Sequence, residues 1–153
     1  MHCLVAIDAN FAQKCLKGRY EDPQVQHPHT QFITQEELDS MASYVEALRK
    51  TNPSVHSLRL AEDILKECQD SFLAADESQA KASIALYVDT GLVALVCRHD
   101  RLLWLANLTT AGERQHYVFA LLKRLFSNLP EDWHVGLLYD IACQIERSML
   151  KVS

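Results

Sequence analysis

Two aspartates each close an apolar run. His2-Cys3-Leu4-Val5-Ala6-Ile7 leads into Asp8, and His134-Val135-Gly136-Leu137-Leu138-Tyr139 leads into Asp140. A continuous apolar run suits a strand buried on both faces of an α/β sheet. A carboxylate ending such a strand is costly unless it is solvated, paired or metal-bound. Two of them on neighbouring strands repel, and a divalent cation between them removes the repulsion. Carboxylate oxygens suit hard ions such as Mg2+ or Mn2+. Such ions serve phosphodiester hydrolysis and strand transfer, one activating the attacking oxygen and another steadying the leaving oxygen. The plainer reading is that Asp8 and Asp140 only cap the turn or helix that follows, and spacing alone leaves both readings open.

A second, softer set is Cys97 and His99 with Cys68, which offers three zinc ligands at best. The plainer reading is a polar hairpin turn, Arg98-His99-Asp100-Arg101, with His99 paired to a neighbour. The remaining cysteines, Cys3, Cys15 and Cys143, bring the total to an odd 5 with no Cys-x-x-Cys pair. That usage points to free thiols in a reducing compartment. The polar cluster Thr110 to His116 sits where a helix starts, a place that binds anions. It reads more simply as a well-capped helix, with Thr110 and Glu113 forming a capping box. Glu62-Asp63 and Asp76-Glu77 read as a solvated face.

The elements that must position these residues follow from periodicity. Strands are expected at residues 2–7, 85–88, 92–97, 102–108 and 134–139, with residues 11–17 as a further extended segment. Helices are expected from Thr34, capped by Glu37, to about Lys50, and over 59–76, 113–128 and 141–152. Residues 18–34, with Pro23 and Pro28, read as a loop. Residues 18–82 together form a mostly polar, partly helical insert without a strand of its own, its first helix packed loosely. Both aspartates then lie at the carboxyl ends of strands, facing the crevice where α/β sheets bind ligands. The strand of Asp8 should neighbour that of Asp140, with the Arg98–Arg101 hairpin on its other side.

The chain has 153 residues, of which 48% are hydrophobic and 23% charged, enough for one domain with a hydrophobic core. No apolar run reaches the roughly 18–20 residues of a bilayer span. No basic stretch followed by an apolar one marks a secretory leader. The net charge of −5 argues against a dedicated nucleic-acid surface, so a DNA-acting chain would need its phosphate-gripping charge elsewhere.

Four segments in order resemble one family. They are Asp8-Ala-Asn-Phe; Asp89-Thr-Gly-Leu with Cys97-Arg-His-Asp100; Gly112-Glu-Arg-Gln-His-Tyr117; and Tyr139-Asp-Ile-Ala-Cys-Gln144. Together they look like the core of the KDZ (Kyakuja–Dileera–Zisupton) transposases, which are abundant in fungal genomes. The likeness spans residues 5 to about 151. It implies an RNase H-like mixed sheet flanked by helices and an Asp-Asp-Glu site using Mg2+ or Mn2+. Asp8 matches the family's first aspartate and Asp140 its second. DNA is the implied substrate, the nucleus the implied location, and a homo-oligomer or partner transposase the implied assembly.

The third carboxylate of that family lies on a later helix, and Glu146 is too close to Asp140 to match it. The opening inside a strand and the final helix at the chain's end lead to the expectation of a core truncated at both ends, inactive alone. The upstream cysteine-rich DNA-binding region of many family members has no counterpart here. The alternative is a non-catalytic interaction domain that binds a protein partner.

Overall fold

The computed structural model describes residues 1–19, 30–51, 66, 86–110, 112–142 and 145. The expected helix over 59–76, the candidate ligand Cys68 and the two acidic pairs fall outside them, except that Lys66 is helical. Of the expected last helix only Ala142 and Ile145 are described, both helical.

Among the described residues six strands form, β1 (Cys3–Asn10), β2 (Cys15–Leu16), β3 (Tyr87–Asp89), β4 (Gly91–Cys97), β5 (Arg101–Leu108) and β6 (Val135–Leu138), with helices α1 (Gln35–Thr51) and α2 (Gln115–Phe126). Four strands make a mixed sheet in the order β5-β4-β1-β6, while β2 and β3 pair separately. β4 runs antiparallel to β1 and to β5, and β6 runs parallel to β1. The strand of Asp8 therefore lies between the β4–β5 hairpin and the strand that leads to Asp140.

Burial in β1 alternates, unlike the two-sided burial expected from its apolar run. Val5 and Ile7 are buried, Leu4 and Ala6 are half-buried, and Asp8 is exposed. The same alternation buries Val93 and Leu95 on β4 and Ala106 and Leu108 on β5. These residues, paired across the ladder, share one face because side chains alternate along a strand. They join one core with Leu38 and Met41 of α1 and with Tyr117, Val118, Leu121 and Leu125 of α2. Among the described residues both helices cover that single face, which is why the opposite face is only half-buried.

The expected loose packing of the first insert helix is corrected here. Leu38 is 2% exposed and lies in the core, and Glu37 forms an ion pair with Arg124 of α2. The segment before α1, expected as loop, contributes to the sheet edge. Ile33 N–H donates to Leu105 O at 2.7 Å and Leu105 N–H to Gln31 O at 2.9 Å, so Phe32 bridges β5 in parallel. The capping box at Thr34 is as expected: Glu37 N–H donates to Thr34 Oγ1 at 3.3 Å and Thr34 N–H to Glu37 Oε2 at 3.1 Å. At the start of β4 only glycine fits, because a Cβ on Gly91 would stand 2.6 Å from the backbone oxygen of Asn10.

Candidate functional site

Asp8 does not end its strand; pairing with β4 continues through Asn10, and Asp8 lies opposite Ala94. Its tolerance there comes from the open face, where the carboxylate keeps its water. Ala9 N–H donates to Asp8 Oδ1 at 2.9 Å. Asp140 follows β6 in a turn and is likewise exposed. Ile141 N–H donates to Asp140 Oδ1 at 2.8 Å. Each carboxylate thus has one oxygen bonded by the following amide, and among the described residues no hydrogen bond reaches the other.

The β1–β6 register runs from Cys3↔Val135 to Ala6↔Leu138. The same offset carried two residues past the last observed pair would bring Asp140 beside Asp8, although Asp140 itself lies in the turn after the ladder ends. Neighbouring strands lie about 4.8 Å apart, within reach of two carboxylates flanking one ion. Both aspartates also act electrostatically on Glu113, which places three acidic groups at one edge of the sheet.

Glu113 is the residue that sequence reasoning missed. It was expected to cap α2 together with Thr110. Instead α2 starts at Gln115, and its N-terminal residue Arg114 makes no side-chain capping bond. Thr110 Oγ1 turns to Gly112 O at 3.3 Å and to the Tyr117 hydroxyl at 3.1 Å. Glu113 Oε1 accepts a hydrogen bond from the Tyr139 hydroxyl at 2.9 Å. Burial, then the nearby charges of Asp140 and Asp8, push the Glu113 carboxyl up to about 7, although the Tyr139 bond opposes the shift. Tyr139 is also raised, chiefly by burial and then by the charge and hydrogen bond of Glu113. The available signal was topological: β5 ends at the same sheet edge as β1, so the connection after it delivers Glu113 there.

Of the zinc candidates, Cys97 and His99 lie together, and Cys68 falls outside the described residues. Cys97 Sγ lies 3.8 Å from His99 Nδ1, while Arg98 Nε donates to His99 Nε2 at 3.3 Å. A guanidinium on the second ring nitrogen competes with any metal there. The turn is a polar hairpin with Asp100 at φ 57°, a conformation aspartate tolerates. It lies at the opposite end of β1 from Asp8, since Arg98 N–H donates to Leu4 O. No group of three or more His, Cys, Asp or Glu side chains converges to hold a metal among the described residues.

The fold is α/β with a mixed four-stranded sheet, and Asp8 near the end of β1 and Asp140 just after β6 are both exposed. The family model for the Kyakuja-Dileera-Zisupton transposase matches residues 1–153, and the chain belongs to that family. Comparison with curated proteins and with solved structures finds no match. Among the described residues no helix is long and apolar enough to cross a membrane.

Proposed function

We propose that the chain carries an RNase H-like part of a transposase core, in which Asp8 and Asp140 hold Mg2+ or Mn2+ for DNA strand cleavage and transfer. The observation that supports this reading is the parallel pairing of β1 with β6, the two strands that lead to Asp8 and Asp140. The donor set fits such an ion: both side chains are exposed and offer only oxygen, and among the described residues the hydrogen bonds they accept go to Oδ1. When bound, the ion would polarise a phosphoryl oxygen and stabilise developing charge. The amides of Ala9 and Ile141 orient the carboxylates toward it. DNA is the proposed substrate and the nucleus the proposed location.

Two carboxylates leave most of the coordination of Mg2+ to water unless substrate phosphates replace it, so affinity should be weak for this chain alone. The net charge of −5 favours a second reading, an interaction domain that pairs with a partner transposase or another copy. A Mn2+ titration of the wild type, Asp8→Ala and Asp140→Ala, followed by a DNA-nicking assay, separates them. The proposal expects binding that either substitution weakens at least about 10-fold, with negligible nicking by the isolated chain. Equal binding by all three proteins refutes the metal site and leaves the interaction domain.

A further inference from the structure

Resting on that reading, we infer that Glu113 and Tyr139 are positioning residues that hold Asp140 in place for the cation. Three observations converge on this pair. The Tyr139 hydroxyl donates to Glu113 Oε1 at 2.9 Å, spanning 26 residues of sequence. Tyr139 immediately precedes Asp140, and Ala142 N–H donates to Tyr139 O at 3.2 Å, so the tyrosine anchors the turn that carries the aspartate. Glu113 in turn stands on a connection that is itself fastened. Thr109 N–H donates to the Tyr117 hydroxyl at 3.0 Å, Thr90 Oγ1 donates to Thr110 O at 2.7 Å, and Tyr117 is fully buried.

The chain of contacts runs from the core through Tyr117 and the β5–α2 connection to Glu113. It continues through Tyr139 to the backbone of Asp140. β6 is short and its pairing with β1 stops at Leu138, two residues before the aspartate. Without the Tyr139 bond, the turn holding Asp140 loses this cross-link to the sheet edge. Glu113 does not serve as a third ligand in this arrangement, because no three such groups converge among the described residues. Its Oε1 accepts the tyrosine hydroxyl. It acts on the cation site through Tyr139, as partners behind metal ligands commonly do, with effects of about 10-fold to 100-fold on affinity.

The test is Mn2+ binding by the full chain, read from the free-ion electron paramagnetic resonance signal. Wild type, Tyr139→Phe, Glu113→Ala, Glu113→Gln and Asp8→Ala are compared, with thermal melting to show that each is folded. Tyr139→Phe keeps the ring and its packing and removes only the hydroxyl, so it guards against a variant that fails to fold. The expected result is about 10-fold weaker binding for Tyr139→Phe and Glu113→Ala. Glu113→Gln, which still accepts the tyrosine hydroxyl, should stay within about 3-fold of wild type, a rescue that a direct ligand would not show. Binding lost in Asp8→Ala but unchanged in Tyr139→Phe overturns this inference alone. A Glu113→Gln as weak as Glu113→Ala overturns it too, because the charge would then matter rather than the hydrogen bond. Binding unaffected by Asp8→Ala overturns the metal site and the inference together.

Discussion

Glu113 shows most clearly how a single side chain's environment departs from its local sequence. Thr110-x-x-Glu113 has the spacing of a helix cap, yet each residue found a partner outside the box. The Tyr117 hydroxyl took the threonine and the Tyr139 hydroxyl the glutamate. Asp8 and Asp140 were legible as candidates because an apolar run reaching a carboxylate is visible within one segment, although β1 runs on past Asp8 to Asn10. Glu113 was not, because its partner lies across the sheet. Its carboxyl, raised from 4.5 to about 7, links stability to pH with a definite sign. The folded state holds the proton more tightly than the unfolded chain. The contribution is therefore full below about pH 4.5 and is lost as pH rises through 7. The loss is on the order of 3 kcal/mol at most. Melting temperatures from pH 4 to 8 should show wild type losing stability relative to Glu113→Gln as pH rises, since glutamine does not titrate. A constant difference across that range would contradict the buried position of Glu113.

At the scale of elements, the two helix starts behave differently for a physical reason. The Thr34–Glu37 box forms where, among the described residues, no other side chain competes for Thr34, and Glu37 spares its other oxygen for Arg124. The strands and the β4–β5 hairpin were legible from apolar runs bounded by polar turns. The edge bridge of Phe32 was not, since it depends on β5, far along the chain. Nor was the one-sided burial, because an apolar run gives the same pattern whether one face or both are covered. Thr34→Ala should cost about 1 kcal/mol through loss of the cap. For a chain of this length that corresponds to a fall in melting temperature of about 2–4 °C. Mn2+ binding should be unchanged, because α1 lies on the helix-covered face and the aspartates on the other side. A change in melting temperature below 1 °C in calorimetry would show that the cap is not formed in solution.

For the whole molecule, the sheet order matters most. Placing β1 between β4 and β6 brings the carboxyl ends of β1, β5 and β6 to one edge, and with them Asp8, Glu113 and Asp140. The opposite edge carries the Cys97–His99 hairpin, with His2 stacked on Trp133 nearby on the β6 side. The order was legible from the strand sequence and the two carboxylates. The β1–β6 offset, which carried on would align them, was not, because register between distant strands is set by tertiary packing. The most direct measurement of that alignment is paramagnetic broadening of backbone amide signals at low Mn2+. Ala9 and Ile141, whose amides bond the two aspartates, should broaden first and together. His134, six residues and roughly 20 Å back along the strand from Asp140, should broaden last. Asp8→Ala should remove the pattern. Broadening centred on His99 or His134, or an unchanged pattern in Asp8→Ala, would contradict the account.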